Sequence, residues 1–173
     1  MLRKVFLNIA LVWCMVSLGQ AREETTVEEC ERNIPESLKN RICELRQYKT
    51  VEGKYMDRHM QCVLEVIGFV EDNGELVFQD LLGVLNMVDS ALDHVPNLKK
   101  CKVKADECVT DSKANTFYTC FLGTSSAQAF KMAVDYGELI AAGKLSLDKP
   151  FNAETVSKEM KQIDDELCAT AKR

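Results

Sequence analysis

Eight cysteines in a chain of 173 residues limit its possible folds more than any other feature, and what they become depends on the redox compartment. The first residues indicate that compartment. Arg3 and Lys4 precede an apolar run from Val5 to Leu18, and Gly19-Gln20-Ala21 sets small residues at the positions a signal peptidase reads. The run is shorter than the roughly 20 apolar residues of a membrane span. Residues 1–21 are therefore expected to be a cleaved secretory leader, and residues 22–173 a single domain large enough for one core. Removing Cys14 with the leader leaves Cys30, Cys43, Cys62, Cys101, Cys108, Cys120 and Cys168. In an oxidising compartment such a set is a disulfide framework, and its odd number leaves one thiol over.

Other uses of these residues fit less well. Zinc binding is not expected, because there is no CxxC and His59 and His94 are the only histidines. No Asn-x-Ser/Thr acceptor for glycosylation is present. The chain has 22 basic and 27 acidic residues; without the two basic residues of the leader the balance is −7. An acidic chain without a basic stripe argues against nucleic acid and anionic membrane surfaces as partners, and is compatible with attracting small cations. No GxSxG, HExxH, phosphate-binding loop or dinucleotide fingerprint occurs. Two histidines leave little material for acid–base chemistry, so the expected activity is binding rather than catalysis, with no cofactor and no metal.

Apolar periodicity predicts helices almost throughout. Thr25 or Thr26, each with Glu three residues on, can cap a short helix through Cys30. Pro35 opens a second, with Leu38, Ile42 and Leu45 on one stripe ending near Arg46. Asp57 opens a third, carrying Met60, Val63, Leu64 and Ile67 inward to Gly68. Leu76 to Val88 is apolar enough to be expected buried on most sides. Pro96 is expected to break the chain, with a less regular polar stretch over Lys99 to Asp111. Ala114, Phe117, Tyr118 and Phe121 mark another helix. Ser125 and Gln128 form a candidate capping box for the next, to about Ala142-Gly143, and Asn152 caps the last, where Val156, Met160, Ile163 and Leu167 recur at helical spacing.

Asp135 and Glu138 are the most suggestive polar pair. At about 100° per residue, Phe130, Val134, Gly137 and Ala141 form an apolar stripe, and both carboxylates fall on one flank of it. Two neighbouring carboxylates repel, and partial burial raises the cost of ionising both. A bound ammonium would relieve that and accept charge-assisted hydrogen bonds worth about 1.5–3 kcal/mol each. Spacing alone favours a plainer alternative, a solvated acidic edge with Lys131 as ion-pair partner of Asp135. Arg46 and His59 border the apolar faces of their helices, where such residues are more often packed or snorkelling. Tyr118 lies in an aromatic stripe. Spacing makes none of these a site.

The segments Val27-Glu28-Glu29-Cys30, Cys43-Glu44-Leu45-Arg46-Gln47-Tyr48, Met56-Asp57-Arg58-His59-Met60-Gln61-Cys62, Ala114-Asn115-Thr116-Phe117-Tyr118-Thr119-Cys120 and Ile163-Asp164-Asp165-Glu166-Leu167-Cys168 together resemble the short salivary proteins of blood-feeding mosquitoes. These are modified members of the insect odorant-binding superfamily. The resemblance runs over essentially all of residues 22–173. It implies an all-α, disulfide-stapled, odorant-binding-protein-like fold of about seven to eight helices around an internal ligand pocket. The superfamily pattern has cysteines where this chain has Arg58 and Asp111, so one familiar bridge has lost both halves. The implied bridges are Cys30–Cys62, Cys101–Cys120 and, as in the salivary branch, Cys43–Cys168. Cys108 departs from the six-cysteine pattern and is expected unpaired.

The activity implied by the resemblance is tight binding of biogenic amines such as serotonin, histamine and noradrenaline. Such an activity counters vasoconstriction, platelet aggregation and inflammation during blood feeding. Carried over residue by residue, the ammonium-binding carboxylates fall on Asp135 and Glu138. The groups facing the ligand's ring and hydroxyl fall on Arg46, His59 and Tyr118. One departure is Val134, where the family can place an aromatic residue beside the acidic pair. Two alternatives accompany this reading: inhibition of host contact-activation proteases, an acidic surface docking on a basic exosite, and carriage of apolar lipids or odorants. A secreted monomer is expected.

Overall fold

Every regular element over residues 26–170, the residues described in this computed structural model, is helical apart from one isolated bridge between Val70 and Leu76. The expected leader over residues 1–21 lies outside the described residues, as does Thr25. Thr26 caps α1 (Val27–Arg32). Its hydroxyl accepts from the Glu29 N–H at 3.3 Å, and the Glu29 carboxylate accepts from the Thr26 N–H at 3.2 Å, a reciprocal pair that satisfies two otherwise orphan donors.

The stripe of Leu38, Ile42 and Leu45 is buried as its spacing predicts, but it is carried by two short helices, α2 (Glu36–Lys39) and α3 (Ile42–Arg46). Asn40 and Arg41 separate them, and asparagine is a weak helix former because its side chain competes for the backbone. The next helix, α4 (Lys54–Val66), begins earlier than Asp57 because Gly53, at φ 112°, lets the chain turn in ahead of it. Met60, Val63 and Leu64 are buried, together with Met56 and His59.

α5 (Phe78–Val88) is not buried on most sides. Only Leu81 and Leu85 are buried, and Met87 is 42% exposed, because the helix packs through one face, against α8 and α6. Pro96 does not break the chain. It stands in the first turn of α6 (Val95–Asp106), where a missing N–H removes no helical bond. Leu98, Cys101 and Ala105 form the buried face of that helix, which makes the stretch regular where polarity suggested otherwise. The split of α2 from α3 and the regular α6 raise the count to nine α-helices among the described residues, against the seven to eight expected.

A 3₁₀ turn (Thr110–Ser112) leads into α7 (Lys113–Leu122), and α8 (Ala127–Ala141) follows. The capping box predicted from Ser125 and Gln128 does not form. Ser126 occupies the cap position without a capping bond; its hydroxyl lies 2.9 Å from His94 Nδ1 and accepts from Asn97 Nδ2 at 2.8 Å. His94 Nε2 donates to the Asp89 carbonyl, so this buried histidine is fully used in holding the α5–α6 connection against α8. Asn152 caps α9 (Ala153–Thr170) by accepting from the Thr155 N–H at 2.8 Å.

The core centres on Phe117, Phe121 and Phe130, with ring centroids 4.9–6.0 Å apart where α7 meets α8. α8 approaches α4 closely at Gly137, where an added Cβ would stand 3.0 Å from Ile67 Cβ. Three disulfides tie the helices: Cys30–Cys62 joins α1 to α4, Cys101–Cys120 joins α6 to α7, and Cys43–Cys168 joins α3 to α9. By the loop-entropy argument each stabilises the fold by about 3–5 kcal/mol. Cys108 is a free thiol, half-buried, near Thr116 Oγ1. α4 still packs on the 3₁₀ turn that carries Asp111, and Asn115 Nδ2 donates to Asp57 Oδ1 at 2.8 Å across the α4–α7 contact. No described helix is long and apolar enough to cross a membrane.

Candidate functional site

Arg46, His59, Tyr118, Asp135 and Glu138 come from α3, α4, α7 and α8, yet all five line one partly open pocket. Chain folding brings them together because each borders the buried face of its own helix, and those faces converge. Glu31 of α1, Tyr48 just beyond α3 and Asp164 of α9 line the same cavity. Its free volume is about 40 Å³, little more than water-sized. Arg46, Met160 and Asp164 also line a wider cavity of about 350 Å³ beside the Cys43–Cys168 bridge.

The polar half of the pocket is organised around Arg46, whose side chain is only 8% exposed. Its Nη1 donates to Glu138 Oε2 at 2.7 Å and its Nη2 to Glu31 Oε2 at 2.9 Å. Nε lies 2.7 Å from Glu31 Oε1 and 3.8 Å from Asp164 Oδ1, close enough to pair charges, although Nε is not aligned for a hydrogen bond. Burial alone would lower the guanidinium's pKa, but Glu138 and Glu31 more than reverse this and raise it. Arg46 is thus a permanent cation held by carboxylates on both sides.

The other half is organised around Asp135. The Tyr48 hydroxyl lies against Asp135 Oδ1 and 2.9 Å from the Lys131 carbonyl. Burial raises the Asp135 pKa to about 6, even though the Tyr48 hydrogen bond works to lower it. Lys131 is not the ion-pair partner that spacing suggested: its Nζ stands 5.5 Å from the Tyr48 ring centroid, and no ion pair joins it to Asp135 among the described residues. Burial, then Arg46, lowers the His59 pKa to about 4, which makes this imidazole neutral at physiological pH, with Nδ1 unbonded. Burial also raises the carboxyls of Glu31 and Asp164 and the phenol of Tyr118.

Four carboxylates and a single guanidinium therefore share one largely buried space. If all ionise, the pocket is short of positive charge, and a small cation is the species that fits. The apolar side is supplied by Val134 and Met60, with the rings of Tyr48 and Tyr118 lying 25° from parallel. No group of three or more ligating side chains that could hold a metal occurs among the described residues.

Glu31, Tyr48 and Asp164 were not singled out from the sequence. Glu31 carried a usable signal, since it sits beside Cys30 on the face that Val27 and Ile34 bury. Tyr48 carried none, because its place depends on a turn outside any periodic segment.

The chain matches the PBP/GOBP family over residues 20–124. It is 72% identical over 158 residues to the short form salivary protein D7R3 of Anopheles gambiae, covering 91% of this chain and 94% of that protein. It is 57% identical over 168 residues to short form salivary protein D7R2 of the same mosquito, covering 97% and 100%. Among solved structures, the Anopheles gambiae D7R4–norepinephrine complex superposes with a TM-score of 0.78 at 36% identity, covering 83% of this chain and 99% of that one.

Proposed function

This chain belongs to the PBP/GOBP family, in its short-form salivary D7 branch, and from that premise we propose that it is a secreted salivary protein that sequesters host biogenic amines. The observation that carries this reading is the charge deficit of the pocket. Glu31, Asp135, Glu138 and Asp164 line the pocket with one guanidinium, which pairs with all of them but Asp135, and an alkylammonium supplies the missing charge together with hydrogen-bond donors.

The expected pose puts the ammonium on Asp135, with Glu138 as its neighbour, and the ring against Tyr118. His59 and Arg46 face the distal hydroxyl. Serotonin, histamine and noradrenaline all carry a cation at one end and a polar unsaturated ring at the other, which suits a mostly apolar pocket with a few polar anchors. The free space must widen to admit them, and the cavity that shares Arg46, Met160 and Asp164 is the direction in which it can. Capture of this kind is stoichiometric and requires tight binding: a Kd near 1 nM corresponds to about −12 kcal/mol. Removing amines in this way opposes vasoconstriction, platelet aggregation and inflammation at a bite.

Calorimetry with serotonin, histamine and noradrenaline tests the proposal. One-to-one heats with at least one of them are expected. Absence of heat with all three, and no competition among them, would sink it.

A further inference from the structure

Two residues beyond Arg46 the chain passes through Tyr48 at φ 59°, a left-handed conformation that few residues other than glycine adopt. The side chain of this turned residue lies inside the pocket. Its hydroxyl contacts Asp135 Oδ1 and the main-chain oxygen of Lys131. A phenol has one hydrogen to give, and an ionised carboxylate is the stronger acceptor. Donation to Asp135 fixes one carboxylate oxygen and leaves the second for a ligand. The Tyr48 ring stands 6.5 Å from the Tyr118 ring, 25° from parallel, so the two form a continuous aromatic surface beside the same carboxylate.

We infer that Tyr48 is a positioning residue of the amine site, setting Asp135 through its hydroxyl and extending through its ring the aromatic wall begun by Tyr118. This rests on the amine-binding reading. It also accounts for Val134: the aromatic surface absent at that position is supplied from the α3 side instead. The charged and titratable groups around Asp135 are Glu31 on α1, Arg46 at the end of α3, His59 on α4, Tyr118 on α7, Lys131 and Glu138 on its own helix, and Asp164 on α9. Of these contacts, the Tyr48 hydrogen bond and Arg46 favour the ionised carboxylate, and Asp164 and Glu138 oppose it.

Calorimetry with serotonin on the wild-type chain, Tyr48→Phe and Tyr48→Leu tests this between pH 6 and 8.5, with circular dichroism to check the fold. Tyr48→Phe keeps the ring and loses the hydroxyl, and is expected to bind about tenfold more weakly at pH 7. The deficit is expected to shrink at pH 8.5, because without the phenol the Asp135 carboxyl rises further and is partly protonated at pH 7. Tyr48→Leu is expected to lose a further few-fold through the missing ring. A Tyr48→Phe variant with wild-type affinity throughout, or with a deficit independent of pH, would overturn the inference while leaving amine binding intact. If the wild-type chain binds no serotonin, histamine or noradrenaline, the amine reading falls, and this inference falls with it.

Discussion

Asp135 and Glu138 sit less than one helical turn apart on α8, yet their surroundings differ. Glu138 meets a guanidinium that is already shared with Glu31 and approached by Asp164. Asp135 accepts its one hydrogen bond among the described residues from a neutral phenol, with Arg46 acting on it only through space. One half of the pocket is a closed ionic network, and the other is a half-buried carboxylate with no ion-pair partner among the described residues. The difference teaches that residue type and spacing do not assign a role. In the Arg46 half charge is used to hold three helices together, and in the Asp135 half no described cation pairs with it.

The largest expected effect falls on the closed half. Arg46→Met leaves Glu31 and Glu138 buried without a partner and should cost about 3–5 kcal/mol of stability, read from denaturant unfolding. A variant as stable as wild type would show that the network does not support the fold. The next test crosses the two carboxylates. Asp135→Asn is expected to weaken amine binding at least ~100-fold, about 2.7 kcal/mol, without loss of stability. Glu138→Gln is expected to lower stability by about 1–3 kcal/mol and to weaken binding less. If the two variants behave alike in both measurements, the contrast between the halves is wrong.

A smaller effect follows from pH. The Asp135 pKa of about 6 lies above its ordinary value of 3.8, so the empty pocket takes up a proton as pH falls through 6. Amine affinity should therefore drop about tenfold between pH 7.5 and 5, measured by calorimetry. Stability responds with the opposite sign. The folded chain holds this proton more tightly than the unfolded one, so the Asp135 contribution improves as pH falls from 6 towards 4. In Asp135→Asn both dependences should flatten.

How far the sequence led differs between fold and site. Caps and stripes were legible where they are local: the Thr26–Glu29 box, Asn152 ahead of α9, and the apolar faces of α4 and α8. Local signals failed where tertiary partners decide. Ser125, expected to cap α8, accepts instead from Asn97, and α5 is apolar on more sides than neighbours cover. For the pocket, spacing reached only as far as a flank of α8, and the convergence of five residues came from resemblance. The rest depends on distance along the chain. Arg46 meets Glu138 across 92 positions and Tyr48 meets Asp135 across 87, and no periodicity within one helix registers such contacts.

The placement of the Cys43–Cys168 bridge has a consequence for how this molecule ages in its surroundings. The positions of the bridge absent here, Arg58 and Asp111, lie on α4 and the 3₁₀ turn, whereas Cys43–Cys168 joins the two helices that present Arg46 and Asp164. This covalent restraint borders the cavity that Arg46 and Asp164 line. A reductant that opens this one bond leaves Cys30–Cys62 and Cys101–Cys120 to keep the helices assembled, while α3 and α9 are freed to part. On the amine-binding reading, opening that bridge would weaken capture while the other two still hold the fold.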